Sequence, residues 1–245
     1  MAKNFSIFET KQKTNYMKFG VVIFPGSNCD HDMIYVLKDI MKQDVTELWH
    51  KDTSLKNVDA VIFPGGFSFG DYLRSGAIAR FSPIMEKVIA FAEKGGLVFG
   101  VCNGFQILCE THLLPGALLA NTNQKFICKN TYIKASNSNS AITKLIKKDT
   151  ALKIPIAHGE GRYFADSETL KTMRLNEQIL FRYCDENGNI GCDANPNGSI
   201  ENIAGICNAK KNVFGMMPHP ERASDTELSN TDGKIIFESI LANFN

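Results

Sequence analysis

Residues 100–108 read GVCNGFQIL, the end of an apolar run over 97–101 that passes through a cysteine directly into helical spacing. A short buried strand that turns at once into a helix holds the residue at the turn exposed and strained, as in a nucleophile elbow. Gly100 and Gly104 bracket Cys102 at that spacing, where glycines permit the tight turn and close packing of helix on strand. Cys102 is therefore a candidate nucleophile. The competing reading is a packing residue, because cysteine is among the most buried residue types.

The stretch at 215–225, GMMPHPERASD, supplies a base and a carboxylate. Two residues apart in an extended segment, His219 and Glu221 share one side of the chain, and Pro218 and Pro220 fix the backbone between them. A Cys-His-Glu triad follows. A free thiol has a pKa of about 8.5, so an adjacent imidazole and a helix N-terminus serve to raise its thiolate fraction. The competing reading of His219 is a loop histidine that caps a turn. The third element, FPGGFSFGDYLRSG at 63–76, follows the apolar run at 58–63 and so falls at the C-terminal end of an expected parallel strand. Open α/β sheets place their ligand crevice there. Backbone N–H groups left uncovered by paired glycines make Gly66, with the amide of Asn103, a candidate oxyanion hole.

From residue 19 onward the chain alternates strand-like and helix-like periods, with short buried strands expected at 19–24, 45–49, 58–63 and 97–101. This βαβ alternation predicts an α/β fold, flavodoxin-like, with a mostly parallel sheet flanked by helices on both faces and right-handed crossovers. Between 125 and 214 the pattern shifts to short alternating segments with Asn/Gly turns such as ENGN at 186–189, which predicts added antiparallel strands. Residues 233–244 read as a closing amphipathic helix.

Composition narrows the class. A chain of 245 residues with 44% hydrophobic content buries one good core, and a formal net charge of +1 gives no electrostatic footprint for nucleic acid or membrane. No apolar run approaches the ~20 residues that span a bilayer. The seven cysteines are odd in number, scattered and without CxxC pairing, which argues against a disulfide framework and a zinc site and fits a reducing cytoplasm. Residues 1–16 carry lysines and no continuous apolar core, so they are no secretory signal. They read as a leader or natural extension ahead of a domain at 17–245.

Two further motifs carry polar groups. PGSNCD at 25–30 follows the first strand but lacks the lysine and glycine spacing of a Walker motif, and reads as a structural, substrate-side turn. HGEGRY at 158–163 holds a histidine, a carboxylate and an arginine. With a triad already complete, its glycines favour a loop shaped for docking over a second base or a metal site.

Taken in order, PGGFSFGDYLR, GVCNGFQIL, HGEGRY and MMPHPERA, together with NPNGSIENIAGI at 195–206, resemble the glutaminase subunits of phosphoribosylformylglycinamidine synthases. These are triad-type, class I glutamine amidotransferases. The resemblance covers about residues 17–245 and departs from the family before Met17. It implies Cys102 as nucleophile, His219 as general acid/base, Glu221 as its orienting partner, Gly66 and Asn103 as oxyanion donors, and Gly65 and Gln106 as contacts to substrate glutamine. HGEGRY is then expected to border the glutamine site. The family also implies partners in purine biosynthesis, a large ATP-dependent synthetase and a small bridging subunit. ATP and magnesium are expected on the synthetase, since this chain lacks a P-loop, and no cofactor or metal is expected here.

Three rivals are weaker. A cysteine hydrolase of the DJ-1 superfamily calls for a glutamate near the end of the first strand, where this chain has Phe24, Pro25 and Gly26. A glutaminase subunit of a different amidotransferase keeps the triad but is not expected to carry GVCNGFQIL and MMPHPERA together. A non-enzymatic interaction subunit tolerates loss of the triad, which is whole here.

Overall fold

The computed structural model describes residues 16–244. The expectation for residues 1–16 lies outside them, apart from Tyr16. Four strands form within two residues of the apolar runs that predicted them: β1 (Lys18–Ile23), β2 (Asp44–Trp49), β3 (Ala60–Phe63) and β4 (Leu97–Val101). The AVIF sequence of β3 is buried at every position, the signature of a strand covered on both faces. Helices provide that cover: α1 (Asp30–Tyr35), which continues as a π-helical turn over Val36–Ile40, α2 (Pro83–Glu93), α3 (Asn103–Glu110) and the closing α5 (Lys234–Phe244). Pro83 opens α2 at a position where a missing N–H costs nothing.

A fifth strand, β11 (Val213–Met216), lies parallel to β4, so this half of the sheet has the order β2-β1-β3-β4-β11. That is the flavodoxin-like order, with its switch point between β1 and β3. The remaining strands continue the same sheet antiparallel: β10 (Ile203–Cys207), β9 (Ile179–Cys184), β6 (Ile127–Ala135) and β7 (Ala151–His158). The antiparallel segment between 125 and 214 is therefore present, and ENGN turns where Gly188 takes a φ of +80°. Two features there were not anticipated. A helix, α4 (Ser167–Leu175), is nucleated by Asp166, whose carboxylate accepts from the amides of Glu168 and Thr169. A small separate sheet pairs β5 (Ala117–Leu119) with β8 (Arg162–Phe164).

The far edge of the nine-stranded sheet is hydrogen-bonded to the residues that follow β4 and β11 in the parallel half. β7 is that edge, and it includes Pro155, which an edge strand tolerates because no ladder hydrogen bond is lost. The Pro155 carbonyl accepts the amide of His219 at 2.8 Å, and further along Lys153 is bonded through its amide to Asp232 and through its carbonyl to Asn230. The exposed edge is thereby covered, and the segment after β11 is fixed against it. The core is one continuous cluster in which Phe19, Phe63, Phe99, Phe105, Phe181 and Phe214 are all fully buried. Each such side chain contributes about 1.5–3 kcal/mol.

Candidate active site

Cys102 stands at the junction of β4 and α3 with φ +51° and ψ −107°, in the strained region where a non-glycine residue is uncommon. Neither bracketing glycine carries the positive φ; both are required by packing instead. A Cβ on Gly100 would lie 2.6 Å from the carbonyl carbon of Gly104, and a Cβ on Gly104 would overlap the backbone oxygen of Phe63 and lie 2.6 Å from its Cβ. The helix therefore sits directly on the strands. The elbow is strained as expected, but its side chain is buried rather than exposed, because neighbouring loops close over it. The Cys102 Sγ donates to the Ala157 carbonyl of β7 at 3.6 Å, and its amide donates to the Met216 carbonyl at 2.8 Å.

His219 follows β11, and its Nδ1 lies 2.6 Å from Glu221 Oε1 with both side chains about 1% exposed or less. The other atoms of this pair, His219 Nε2 and Glu221 Oε2, have no hydrogen-bond partner among the described residues. Burial pushes the imidazole pKa down, but the Glu221 carboxylate and the nearby Cys102 and Cys29 thiols outweigh it and hold His219 well above its ordinary value. A buried imidazole with one nitrogen locked on a carboxylate and the other free is poised to exchange a proton with a thiol.

Gly65 is the point on which the site converges. A Cβ there would lie 2.6 Å from His219 Cε1, 3.1 Å from Cys29 Sγ and 3.4 Å from Cys102 Cβ. Gly66, φ +142°, is bridged to Ser27 across the switch point, so the ends of β1 and β3 are tied together beside the thiol. Asn103 opens α3, where its amide has no intrahelical acceptor. Its side chain turns away from Cys102: Oδ1 accepts the Ser68 amide at 3.1 Å, and Nδ2 donates to Gln106 at 2.8 Å and Asp71 at 3.3 Å.

A cavity of about 140 Å³ opens over Cys102, walled by Gly66, Asp71, Gln106, His158 and Glu160. Gln106 Nε2 donates to the Glu160 carbonyl at 2.6 Å, and the Ser75 amide donates to the Glu160 carboxylate at 3.2 Å, which joins the 66–76 loop to the HGEGRY loop. Burial and the neighbouring Glu160 charge raise Asp71 to about 6 against hydrogen bonds from Ser75 and Asn103. His158 is lowered to about 4, first by burial and then by His219. Its ring is held 3.1 Å from Asn121 Oδ1. A neutral, tethered imidazole shapes the wall rather than relaying protons. The 66–76 loop is itself strained, with Phe69, Asp71 and Leu73 all at positive φ. Its tip exposes Tyr72 and Leu73, 74% and 91% accessible.

Sequence reasoning missed Cys29. It lies in the PGSNCD turn, and its Sγ accepts a hydrogen bond from Arg222 Nη2 at 3.0 Å. The one signal for it was its position just beyond the first strand of an α/β sheet, where the crevice lies.

The family model for the CobB/CobQ-like glutamine amidotransferase domain matches residues 17–236. The phosphoribosylformylglycinamidine synthase subunit PurQ of Koribacter versatilis is 58% identical over 225 residues, 92% of this chain and 97% of that one. The chain belongs to the PurQ family of glutamine amidotransferases. The PurQ subunit of Aquifex aeolicus, 52% identical, is matched over its full length and 92% of this chain. Among solved structures, one titled the structure of PurLQS from Thermotoga maritima superposes with a TM-score of 0.83 at 39% identity, covering 94% of this chain and 100% of that one. A further glutamine amidotransferase from Thermotoga maritima shares the fold alone, with a TM-score of 0.55 at 14% identity over 92% of this chain and 90% of that one. No helix among the described residues is long and apolar enough to cross a membrane.

Proposed function

We propose that this chain is the glutaminase subunit of phosphoribosylformylglycinamidine synthase, releasing ammonia from glutamine for an ATP-dependent synthetase in purine biosynthesis. Support comes from PurQ relatives matched over nearly their whole length and from the superposition on the PurLQS structure. The observation that carries the chemistry is the convergence of a strained cysteine with a buried imidazole–carboxylate pair at Gly65.

In this reading Cys102 Sγ attacks the side-chain carbonyl carbon of glutamine, and the developing oxyanion is met by the amides of Gly66 and Asn103. His219 carries the thiol proton to the departing nitrogen, with Glu221 stabilising the imidazolium. Ammonia leaves and a γ-glutamyl thioester remains. Water, deprotonated by the same imidazole, attacks the thioester carbonyl, releasing glutamate and returning the proton to sulfur. Gln106 and the backbone at Gly65 hold the substrate side chain, and Asp71 and Glu160, on the cavity wall, offer carboxylates to its α-ammonium group.

The amidotransferase domain then runs over 17–245, with 1–16 as a leader or natural extension ahead of it. A small bridging subunit completes the complex, ATP and magnesium belong to the synthetase, and the cytoplasm is the setting. The chain alone is a slow glutaminase in this reading. The strained loop at 66–76 settles into its active form when the synthetase docks against Tyr72 and Leu73, so that ammonia is not wasted. Mixing the purified chain with its synthetase and bridging subunits, glutamine, ATP and formylglycinamide ribonucleotide tests the assignment. Formation of phosphoribosylformylglycinamidine with equivalent glutamate is the expected result, and glutamate without that product excludes it.

A further inference from the structure

Arg222 follows Glu221 in the MMPHPERA stretch and takes no part in thioester chemistry. It lies in the Pro220–Ala223 turn, where its amide donates to the His219 carbonyl at 3.2 Å. Its side chain leaves that turn for the start of α1: Nε donates to Asp32 Oδ2 at 3.1 Å, and Nη2 donates to Cys29 Sγ at 3.0 Å. The Cys29 sulfur in turn lies within 4.8 Å of a ring nitrogen of His219 and a carboxylate oxygen of Glu221. One thiol therefore separates the guanidinium from the buried pair. Glu221 Oε2 has no hydrogen-bond partner among the described residues, and a buried carboxylate left so depends on nearby positive charge.

We propose that Arg222 is a positioning residue of the triad, its guanidinium fixed between Asp32 and Cys29 so that it braces the thiol beside the imidazole and offsets the Glu221 charge. The offset matters in the second half of the reaction. Water attacks the thioester only as the imidazole takes its proton, which requires neutral His219. A buried carboxylate 2.6 Å from Nδ1 favours the imidazolium instead. Positive charge beside that carboxylate opposes the preference and returns the ring to its basic form. Arginine suits the place because its planar fork serves Asp32 and Cys29 at once.

The groups that face His219 are Glu221 on its own turn, Cys102 at the elbow, Cys29 ahead of α1 and His158 on β7. Asp32 of α1 faces Arg222. Burial works against the guanidinium charge, but Cys29, Glu221 and Asp32 outweigh it, so the cation persists wherever the triad works. Arg222 lines a cavity of about 240 Å³ beside Cys29 and another of about 450 Å³ beside Asp32. With 34% of its side chain exposed there, solvent screening limits its influence on the ring. The consequence for turnover rests on the amidotransferase reading; the effect on the ring itself does not require catalysis.

The test follows His219 by NMR in the full-length chain with isotope-labelled histidine, in a Cys102→Ala background that removes the coupled thiol titration. Loss of the signal in His219→Asn identifies it. Arg222→Gln is expected to raise the pH at which the ring titrates by about one unit, and Arg222→Lys, which keeps the charge, by clearly less. Asp32→Asn is expected to lower it, because the guanidinium loses its counter-ion. Asp32 is 47% exposed, so this variant tests the same linkage even where Arg222→Gln does not fold. With Cys102 intact, acid-quenched single turnovers of labelled glutamine are expected to show Arg222→Gln slowing thioester breakdown by about tenfold below the titration midpoint. An unchanged midpoint in Arg222→Gln, an equal rise in Arg222→Lys, or a rise in Asp32→Asn overturns the proposal. A raised midpoint in a chain that hydrolyses no glutamine supports the placement of Arg222 and counts against the amidotransferase reading instead.

Discussion

His219 Nδ1 and Glu221 Oε1 are 2.6 Å apart in a region closed to solvent, and the amide of the same histidine is bonded to Pro155 on the far edge strand of the sheet. Backbone and ring are thus fixed by different elements. Removing the ring removes proton transfer, whereas Glu221→Gln leaves a hydrogen-bonding group and loses the charge that favours imidazolium. The expected loss in kcat is on the order of 10⁴-fold for Glu221→Gln and about 10²-fold more for His219→Ala. Steady-state glutamate release by the complex measures both, and an unaffected Glu221→Gln enzyme makes the carboxylate structural.

Two glycines near the thiol are expected to fail in different ways. A methyl at Gly65 meets the His219 ring and the Cys29 sulfur, side-chain atoms that move, so Gly65→Ala is expected to lower kcat by roughly 10²-fold through ring displacement. A methyl at Gly104 meets backbone of Phe63, which does not move without shifting β3, so Gly104→Ala is expected to cost about 3 kcal/mol or more in stability. Urea unfolding alongside glutaminase assays separates the two. Similar unfolding midpoints for both variants contradict the distinction.

The pH dependence of glutamine binding follows from Asp71, whose carboxyl group titrates near 6 because it is buried beside Glu160. Its folded value is raised above the unfolded one, so the stability associated with the protonated form is complete below the unfolded pKa, about 4, and is lost as pH rises through 6. The carboxylate that meets an α-ammonium group predominates only above about 6. KM for glutamine is therefore expected to rise as pH falls through 6, and Asp71→Asn to raise KM by about 10-fold at pH 8 while flattening that limb. A profile that keeps its inflection in Asp71→Asn assigns it elsewhere.

Partner coupling is expected to run through the 66–76 loop. Leu73, 91% accessible at its strained tip, has no packing role in the isolated chain. Leu73→Asp is expected to leave the glutaminase activity of the isolated chain within about twofold, consistent with an exposed position, and to weaken the acceleration expected on adding the synthetase. Equal acceleration in the variant and the unsubstituted chain places the coupling outside this loop.

What was legible in the sequence was whatever local pattern determines. The runs that became β1 to β4 are apolar because strands covered on both faces admit little else, and Cys102, His219 and Glu221 were legible because elbow glycines and flanking prolines mark them. Cys29 was not, because its relation to His219 depends on the closure of the β1 and β3 loops across the switch point. The place of β7 at the site was equally hidden. Its alternating burial identifies an antiparallel strand, but the bonding of Ala157 to Cys102 and of Pro155 to His219 arises from the packing of the whole sheet. The glycines at 100 and 104 mark the turn in the right place and only partly for the expected reason, since packing against β3 and α3 requires them while the strained torsion falls on the cysteine.

The most direct measurement compares glutamine with ammonia as nitrogen donor for the reconstituted complex carrying Cys102→Ala. Loss of glutamine-dependent synthesis with ammonia-dependent synthesis retained is the expected result, because only thioester formation requires the thiol while fold and docking do not. Glutamine turnover above a trace in that variant contradicts the assignment of Cys102 as the nucleophile.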